Sequence, residues 1–540
     1  MKRLIEQIEK SPTPYVVVTI ALLTIWAFAQ RFLMDDAFIS FRYAKNLADG
    51  LGLVWNDGER IEGYTNFLWV ILCSLGIKLG VEPEKFSVLL NLPLYIASLL
   101  LTYRIARSFL SERYSALFAV ILTGVTRSVY AFATSGLETT LQQTEFLALT
   151  ALLLQAPRNW SSRWALAMCG LLIVMFLTRP DAAIPAAVAF YLIWRQRTEV
   201  SVRIWATLLV PLIIAGSLYA GWKLSYFGGL LPNSFHAKVR DLAGIGYGFF
   251  FIHQFLLSHL LYPYAIASVW NFKTRKALTG KNNNALVLEL MIGVWALYVV
   301  LAGGDFMEYR FLIPIISLFY ILVLNTLELV EMKALKMALY AGLVVGVLHG
   351  NFAMEKLVFG YGIESVRHLK GHLTEPKENW DGIGRKLGQY FGGSDVLIAA
   401  GAAGAIPYYS GLKTIDFMGL NDKAIPLEGV PFSNVPGHRV ISTLDYLHRR
   451  KVNLIIEPIN HMWSRQEFAG WAMRPSWRDL TRFFINPDGL VNGKQINHSM
   501  LVGIPIDENY ILLAWYLTPN ATVERVIEEQ NWTRVEVTRW

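Results

Sequence analysis

Charge and cysteine are what this 540-residue chain has least of. Only 17% of its residues are Asp, Glu, Lys or Arg, while 54% are hydrophobic. Soluble domains carry roughly a quarter charged residues, so a chain that is water-soluble along its whole length is excluded. The two cysteines, Cys73 and Cys169, both lie inside apolar stretches. They exclude a disulfide framework and a cysteine-built zinc site, and read as packing residues. The sequence also lacks any internal repeat of fixed period, any low-complexity tract and any heptad array. Its glycine-rich stretch at 400–406, AGAAGAI, lacks the Lys-Ser/Thr ending and the long following helix of a phosphate-cradling loop, so nucleotide binding is rejected there. The net charge of +8 would suggest nucleic acid in a soluble protein. Here the basic residues sit in short loops between apolar runs, where they orient helices in a membrane, and no nucleic-acid partner is expected.

What is abundant is apolar sequence of membrane-crossing length, recurring up to about residue 351. Candidate spans are 15–33, 86–105, 114–133, 139–154, 164–177, 182–194, 204–222, 247–269, 285–302, 311–327 and 335–350. The basic N-terminus leads through the first run into Met34, Asp35 and Asp36, with no small-residue cleavage site, so the first helix is read as retained. The apolar segment 66–80 is short and interrupted by Lys78; laid along the membrane surface, it leaves about eleven spans. The basic loops Lys2/Arg3/Lys10, Arg104/Arg107/Arg113, Arg158/Arg163, Arg195/Arg197/Arg203, Lys273/Arg275/Lys276 and Lys333/Lys336 then share one side, the cytoplasmic one. An odd number of spans puts the remainder outside. That remainder alternates polar and apolar residues and reads as α/β, with buried strands at 395–400, 452–456 and 510–517. The expected fold class is a polytopic α-helical membrane protein, residues 1–351, followed by a C-terminal extracytoplasmic α/β domain, residues 352–540.

Asp35 and Asp36 stand directly at the end of the first span. An ionised carboxylate facing lipid costs about 2.5–3.5 kcal/mol, so the pair must meet water, a cation or a cavity. Adjacent carboxylates raise each other's pKa, which suits a general base, and they can jointly hold a divalent cation. A solvated helix end is the plain alternative, and an isolated Asp-Asp would favour it. This pair is not isolated: DDAFISFRYA at 35–44 runs on through GLGLVWN at 50–56 to EGYTN at 62–66.

The pattern resembles the polyprenyl-phosphate-dependent, multi-spanning glycosyltransferases of the GT-C architecture, and most closely the AftB-like terminal arabinofuranosyltransferases of mycobacteria and corynebacteria. Further segments carry the likeness in order over most of the chain: SGLE at 135–138, TRPDA at 178–182, LPNSFHAK at 231–238, GGDFMEYRF at 303–311 and YYSGLKTIDFMGLND at 408–422. The resemblance implies transfer of D-arabinofuranose from a polyprenyl (decaprenyl) phosphate to an acceptor hydroxyl on the outer side of a bacterial inner membrane. The implied partners are the polyprenyl-phosphoryl-arabinofuranose donor, a glycan or glycoprotein acceptor, and membrane lipids. The one cofactor left open is a divalent cation at Asp35 and Asp36.

The chemistry asks for matching parts. The sugar carbon passes through an oxocarbenium-like state while negative charge grows on the departing phosphate, so the site needs a carboxylate near the sugar and cations near the phosphate. By resemblance, Asp35 or Asp36 is the base or the carbocation-stabilising group. Lys238, His236 and Arg310, all in outer loops, are the candidates for the phosphate, although for Arg310 snorkelling at a helix end weighs as much. Arg42, Glu62, Tyr64, Asn233, Asp416 and His438 are the candidates for sugar or acceptor contacts. Glu138, Arg179, Asp181 and Asp305 read better as ion pairs that hold the outer loops. A transporter or flippase is the competing class, but it expects charges deep within spans, and here they cluster at one end of the helices. A related transferase using mannose or aminoarabinose is the nearer competitor.

Overall fold

The computed structural model describes residues 2–155, 160–238, 244–279, 283–356, 362–433, 435–457, 461–473, 475, 490–491, 494–495 and 498–538. Its first three-fifths is a bundle of apolar helices. Among the described residues, five helices are long and apolar enough to cross a membrane, six if one sharply bent pair is a single span, and four further apolar helices are shorter. The first of the shorter ones, Thr13–Ala29, is apolar all round and starts with Pro14 in its first turn, where a missing N–H costs nothing. Val16, Ile20, Leu23 and Ala27 recur at helical spacing and are buried against the bundle, whereas Val17, Val18, Leu22 and Ile25 face outward. A contiguous band of outward apolar side chains on a helix this apolar is what a lipid-facing surface presents. The Val202–Phe227 helix is the most lipid-facing and the Arg310–Leu327 helix the most enclosed. This is a polytopic helical membrane protein.

Two expected spans are broken. The stretch 114–133 divides into Arg113–Val125 and Arg127–Phe132 at an extended Thr126. The side chain of Asn351 accepts from the Arg127 N–H at 2.9 Å and donates to the Val125 carbonyl at 2.9 Å, so the interruption leaves these two backbone groups satisfied. The stretch 247–269 turns through 104° between Gly244–Ser258 and Tyr262–Asn271. Leu260 takes a left-handed conformation with φ 52°, and Pro263 can only begin the next helix, not continue the previous one. Segment 66–80 forms the short helix Phe67–Lys78. The last membrane helix, Lys333–Lys356, runs through residue 351, so the chain leaves the bundle slightly later than the sequence suggests.

The C-terminal part is built on a seven-stranded mixed sheet. Its strands are β1 (Leu397–Ala400), β2 (Lys413–Asp416), β3 (Leu454–Ile456), β4 (Met462–Ser464), β5 (His498–Pro505), β6 (Tyr510–Tyr516) and β7 (Thr533–Thr538). The order is β7-β5-β6-β3-β1-β2, with β4 also pairing β6. β1 is parallel to both β2 and β3, and the remaining pairings are antiparallel. β1 and β3 are short apolar runs, as parallel strands covered on both faces must be. In open α/β sheets the loops at the carboxyl ends of parallel strands form the usual crevice. Here those loops after β1, β2 and β3 meet the end of the helix bundle that carries Asp35 and Asp36.

Candidate functional site

The helix Asp35–Ala48 leaves the first membrane helix and packs on the C-terminal part, with Phe38 and Phe41 fully buried. Phe38 contacts the rings of Tyr408 and Tyr409 at 5.3 Å, so an aromatic seam joins the two parts. Arg42 fastens it. Its guanidinium donates to the carbonyls of Trp55, Pro407 and Leu412 and to Asn56 Oδ1, and stacks on the Trp55 ring. With these donors spent on the protein's own oxygens, Arg42 is a clasp and not the sugar contact expected of it.

A pocket opens at this junction. Met34, Asp35 and Asp36 line it from the bundle side, and Glu364, His372 and Trp380 from the segment after the last membrane helix. Gly401, Ala402 and Ala403 follow β1, Met418 and Leu420 follow β2, and Glu457 follows β3, so the carboxyl edge of all three parallel strands supplies the far wall. His438 closes it, edge-on to Phe306 with ring centroids 5.0 Å apart.

The two acids differ. Asp35 is only 5% exposed. Its Oδ1 accepts the Ala405 N–H at 2.7 Å and its Oδ2 the Gly404 N–H at 3.2 Å. The glycine-rich stretch thus serves Asp35. Any side chain at Gly404 would place its Cβ 2.0 Å from the Asp35 backbone oxygen, which is why glycine stands there. Burial pushes the Asp35 carboxyl up to about 7, with the neighbouring Asp36 charge adding to the rise and the two N–H donors and His372 opposing it. Asp36 is half-buried and faces the same pocket.

Of the other expected site residues, only His438 lines the pocket among the described residues. Arg310 does not reach for a phosphate: it is buried and pairs with Asp305 at 2.6 Å, its charge already matched. Glu62 pairs with Lys223 at 2.8 Å, and Tyr64 is wedged between the rings of Tyr43 and Phe227. Asn233 donates to the carbonyls of Gly419, Leu420 and Asp422. Asp416 is fully buried and accepts from the N–H groups of Met418 and Asn421 and from Asn421 Nδ2. Burial pushes it up to about 6. Asn233 and Asp416 thus hold the loop after β2 that lines the pocket. Asp416, for one, fixes the turn that carries Met418 and Leu420 to the wall. His236 and Lys238 fall in the short helix Asn233–Lys238, and their side chains lie outside the described residues. Arg179 bridges Glu138 at 2.7 Å and Asp181 at 2.8 Å, while Asn66 donates to Glu138 at 2.7 Å.

Sequence reasoning missed Glu364, His368 and His372. Their ligand atoms lie within 4.8 Å of one another and, among the described residues, they are the group so placed that a metal ion could be held. The acidic pair is not in it, and Asp35 already gives both oxygens to backbone N–H groups. The signal was present as Glu-x3-His-x3-His, a spacing that sets side chains on one helix face. Glu457 and Trp380 carried no such signal.

A family model described as a domain of unknown function (DUF8728) matches residues 370–513. The chain is 26% identical over 343 residues to the terminal beta-(1->2)-arabinofuranosyltransferase of Mycobacterium tuberculosis, covering 55% of this chain and 53% of that protein. It is 26% identical over 338 residues to the protein of the same name from Corynebacterium glutamicum, covering 55% and 48%. The matched stretch thus spans about half the length of these relatives. In three dimensions, ArnT from Cupriavidus metallidurans bound to undecaprenyl phosphate superposes with a TM-score of 0.54 at 12% identity, over 93% of this chain and 97% of that one. The chain therefore has the fold of ArnT, and in sequence it is a relative of the terminal arabinofuranosyltransferases that its acidic first motif resembles.

Proposed function

We propose that this protein transfers D-arabinofuranose from a polyprenyl phosphate to the hydroxyl of a glycan or glycoprotein on the outer face of a bacterial inner membrane. The observation that carries the reading is the acidic pair in a pocket shared by the outer end of the helix bundle and the carboxyl edge of the sheet. The named activity of the sequence relatives supports the sugar, and the undecaprenyl phosphate in the ArnT structure supports the class of carrier. On this reading about eleven helices cross the membrane, and the chain from the end of Lys333–Lys356 onward forms an extracytoplasmic domain.

Asp36, half-buried and facing the pocket, takes the proton of the acceptor hydroxyl as its oxygen attacks the sugar's anomeric carbon. The Asp36 carboxylate also opposes the positive charge that develops on the ring. Asp35 is a positioning residue that holds the loop after β1 against the bundle.

Purified full-length chain in proteoliposomes, given radiolabelled polyprenyl-phosphoryl arabinofuranose and an arabinan acceptor, is expected to yield labelled glycan. Asp36→Asn should lower the rate by at least about 100-fold without altering the thermal midpoint. Full activity in that variant would remove the proposed chemistry. Product from polyprenyl-phosphoryl mannose and none from the arabinose donor would replace the sugar.

A further inference from the structure

A departing phosphate needs a cation, and Arg310 is held in a buried pair with Asp305. Beside Asp35 and Asp36, the segment after the last membrane helix supplies a different device. Glu364 precedes the helix Val366–Thr374, and His368 and His372 stand four residues apart on one side of it. Glu364 Oε2 lies 3.4 Å from His368 Nδ1 and 3.2 Å from His372 Nε2. Ligands bound to one tetrahedral zinc at about 2.0–2.1 Å stand about 3.3 Å from each other, so both separations match edges of such a site, and the third ligand-atom separation is within 4.8 Å.

The cluster is also built to stay in place. The Glu364 backbone donates to the Phe306 carbonyl at 2.6 Å and accepts from the Glu308 N–H at 3.0 Å, which pins it to the loop of the outer face. Ser365 caps the helix by accepting the His368 N–H. The far nitrogen of His372, Nδ1, faces Glu378 Oε2 at 3.4 Å, and that oxygen accepts the Trp380 indole N–H at 2.9 Å. The His372 ring lies flat on Trp380, centroids 4.1 Å apart and planes 15° from parallel. A carboxylate behind the remote nitrogen of a ligating imidazole is the usual support of a zinc-bound histidine, fixing its tautomer and direction. Two imidazoles and one carboxylate suit zinc and leave a fourth position open.

We propose that Glu364, His368 and His372 bind one zinc ion whose open position faces the pocket and takes a phosphate oxygen of the lipid donor; the phosphate part rests on the transferase reading above. As the bond between the anomeric carbon and the phosphate oxygen breaks, its electron pair stays on that oxygen. The acceptor oxygen forms the new bond, and its proton goes to Asp36. The zinc charge then opposes the charge growing on the leaving group.

The test separates the metal from the transfer. Full-length protein purified with zinc and dialysed is expected to hold about one zinc per chain by mass spectrometry. His368→Ala, at the half-exposed ligand, should lose it, and Glu378→Gln should weaken zinc affinity by about 10- to 100-fold with the fold intact by gel filtration. No zinc in the wild type, or undiminished zinc in His368→Ala, would overturn the site, leaving a metal-free ion-pair cluster. Chelation that strips the zinc yet leaves transfer unchanged would overturn the phosphate role alone. Zinc bound by a protein that transfers sugar from neither the arabinofuranose nor the mannose donor would support the site and refute the transferase reading instead.

Discussion

Asp35 and Asp36 are neighbours in sequence and stand in opposite circumstances. One is buried against two backbone N–H groups, and the other is open to the pocket. The difference can be read from pH. The folded-state pKa of Asp35 is raised from its ordinary 3.8 to about 7. Between those values the folded protein keeps a proton that the unfolded chain gives up, so this residue's contribution to stability falls as pH rises through that window and is level above it. Asp35→Asn cannot lose a proton there. On going from about pH 5 to about pH 8 the detergent-solubilised wild type should therefore lose thermal stability relative to Asp35→Asn. Parallel melting profiles across that range would show that the carboxyl is not held above its ordinary value. The same variant should also slow transfer, because an amide oxygen and an NH2 cannot accept both N–H groups.

At the scale of elements, the contact that matters is the one between the Asp35–Ala48 helix and the Ala405–Ser410 helix after β1. Gly404, just before the second helix, leaves no room there: an added Cβ would stand 2.0 Å from the Asp35 backbone oxygen. Gly404→Ala should force the two apart, costing about 1–3 kcal/mol or more, and should reduce transfer in proportion to the loss of docking. Gly470→Ala is the control, because that glycine lies in the Arg465–Ala472 helix with nothing within 4 Å of an added Cβ. It should raise stability by roughly 0.5–1 kcal/mol and leave transfer unchanged. Thermal melts of the two variants side by side check both signs. If Gly404→Ala were as innocent as the control, the backbone contact would not be what holds the wall of the pocket.

At the scale of the whole molecule, the pocket exists only where bundle and sheet meet, so its sidedness is that of the C-terminal part. The cysteines Cys73 and Cys169 are both buried, which leaves a quiet background for thiol labelling. Leu427 is 79% exposed on the short helix Ile425–Glu428. Leu427→Cys should react with a membrane-impermeant maleimide added to intact spheroplasts. Reaction only after the cells are opened would turn the topology over and remove the transferase proposal with it, since a donor displayed outside would never meet the site.

Periodicity and apolar length determined much of this protein without any structure. The helices fall where long apolar runs lie, and β1, β3 and β6 where short ones do, because burial in lipid or in a sheet core is a local property of a segment. That the acidic pair would sit in a pocket and not against lipid was legible for the same reason: a charge at a membrane helix end has few places to go. What only the tertiary structure decided is which polar residues share a space. Arg42, Glu62, Tyr64 and Arg310 look in sequence like substrate contacts and prove to be clasps, ion pairs and core, because each meets a partner that the sequence does not announce. Asp35 meets Gly404 and Ala405 across 369 and 370 residues, and it shares a pocket with Glu364, His372 and Glu457. Such pairings are settled by how bundle and sheet dock, and local sequence holds no record of them.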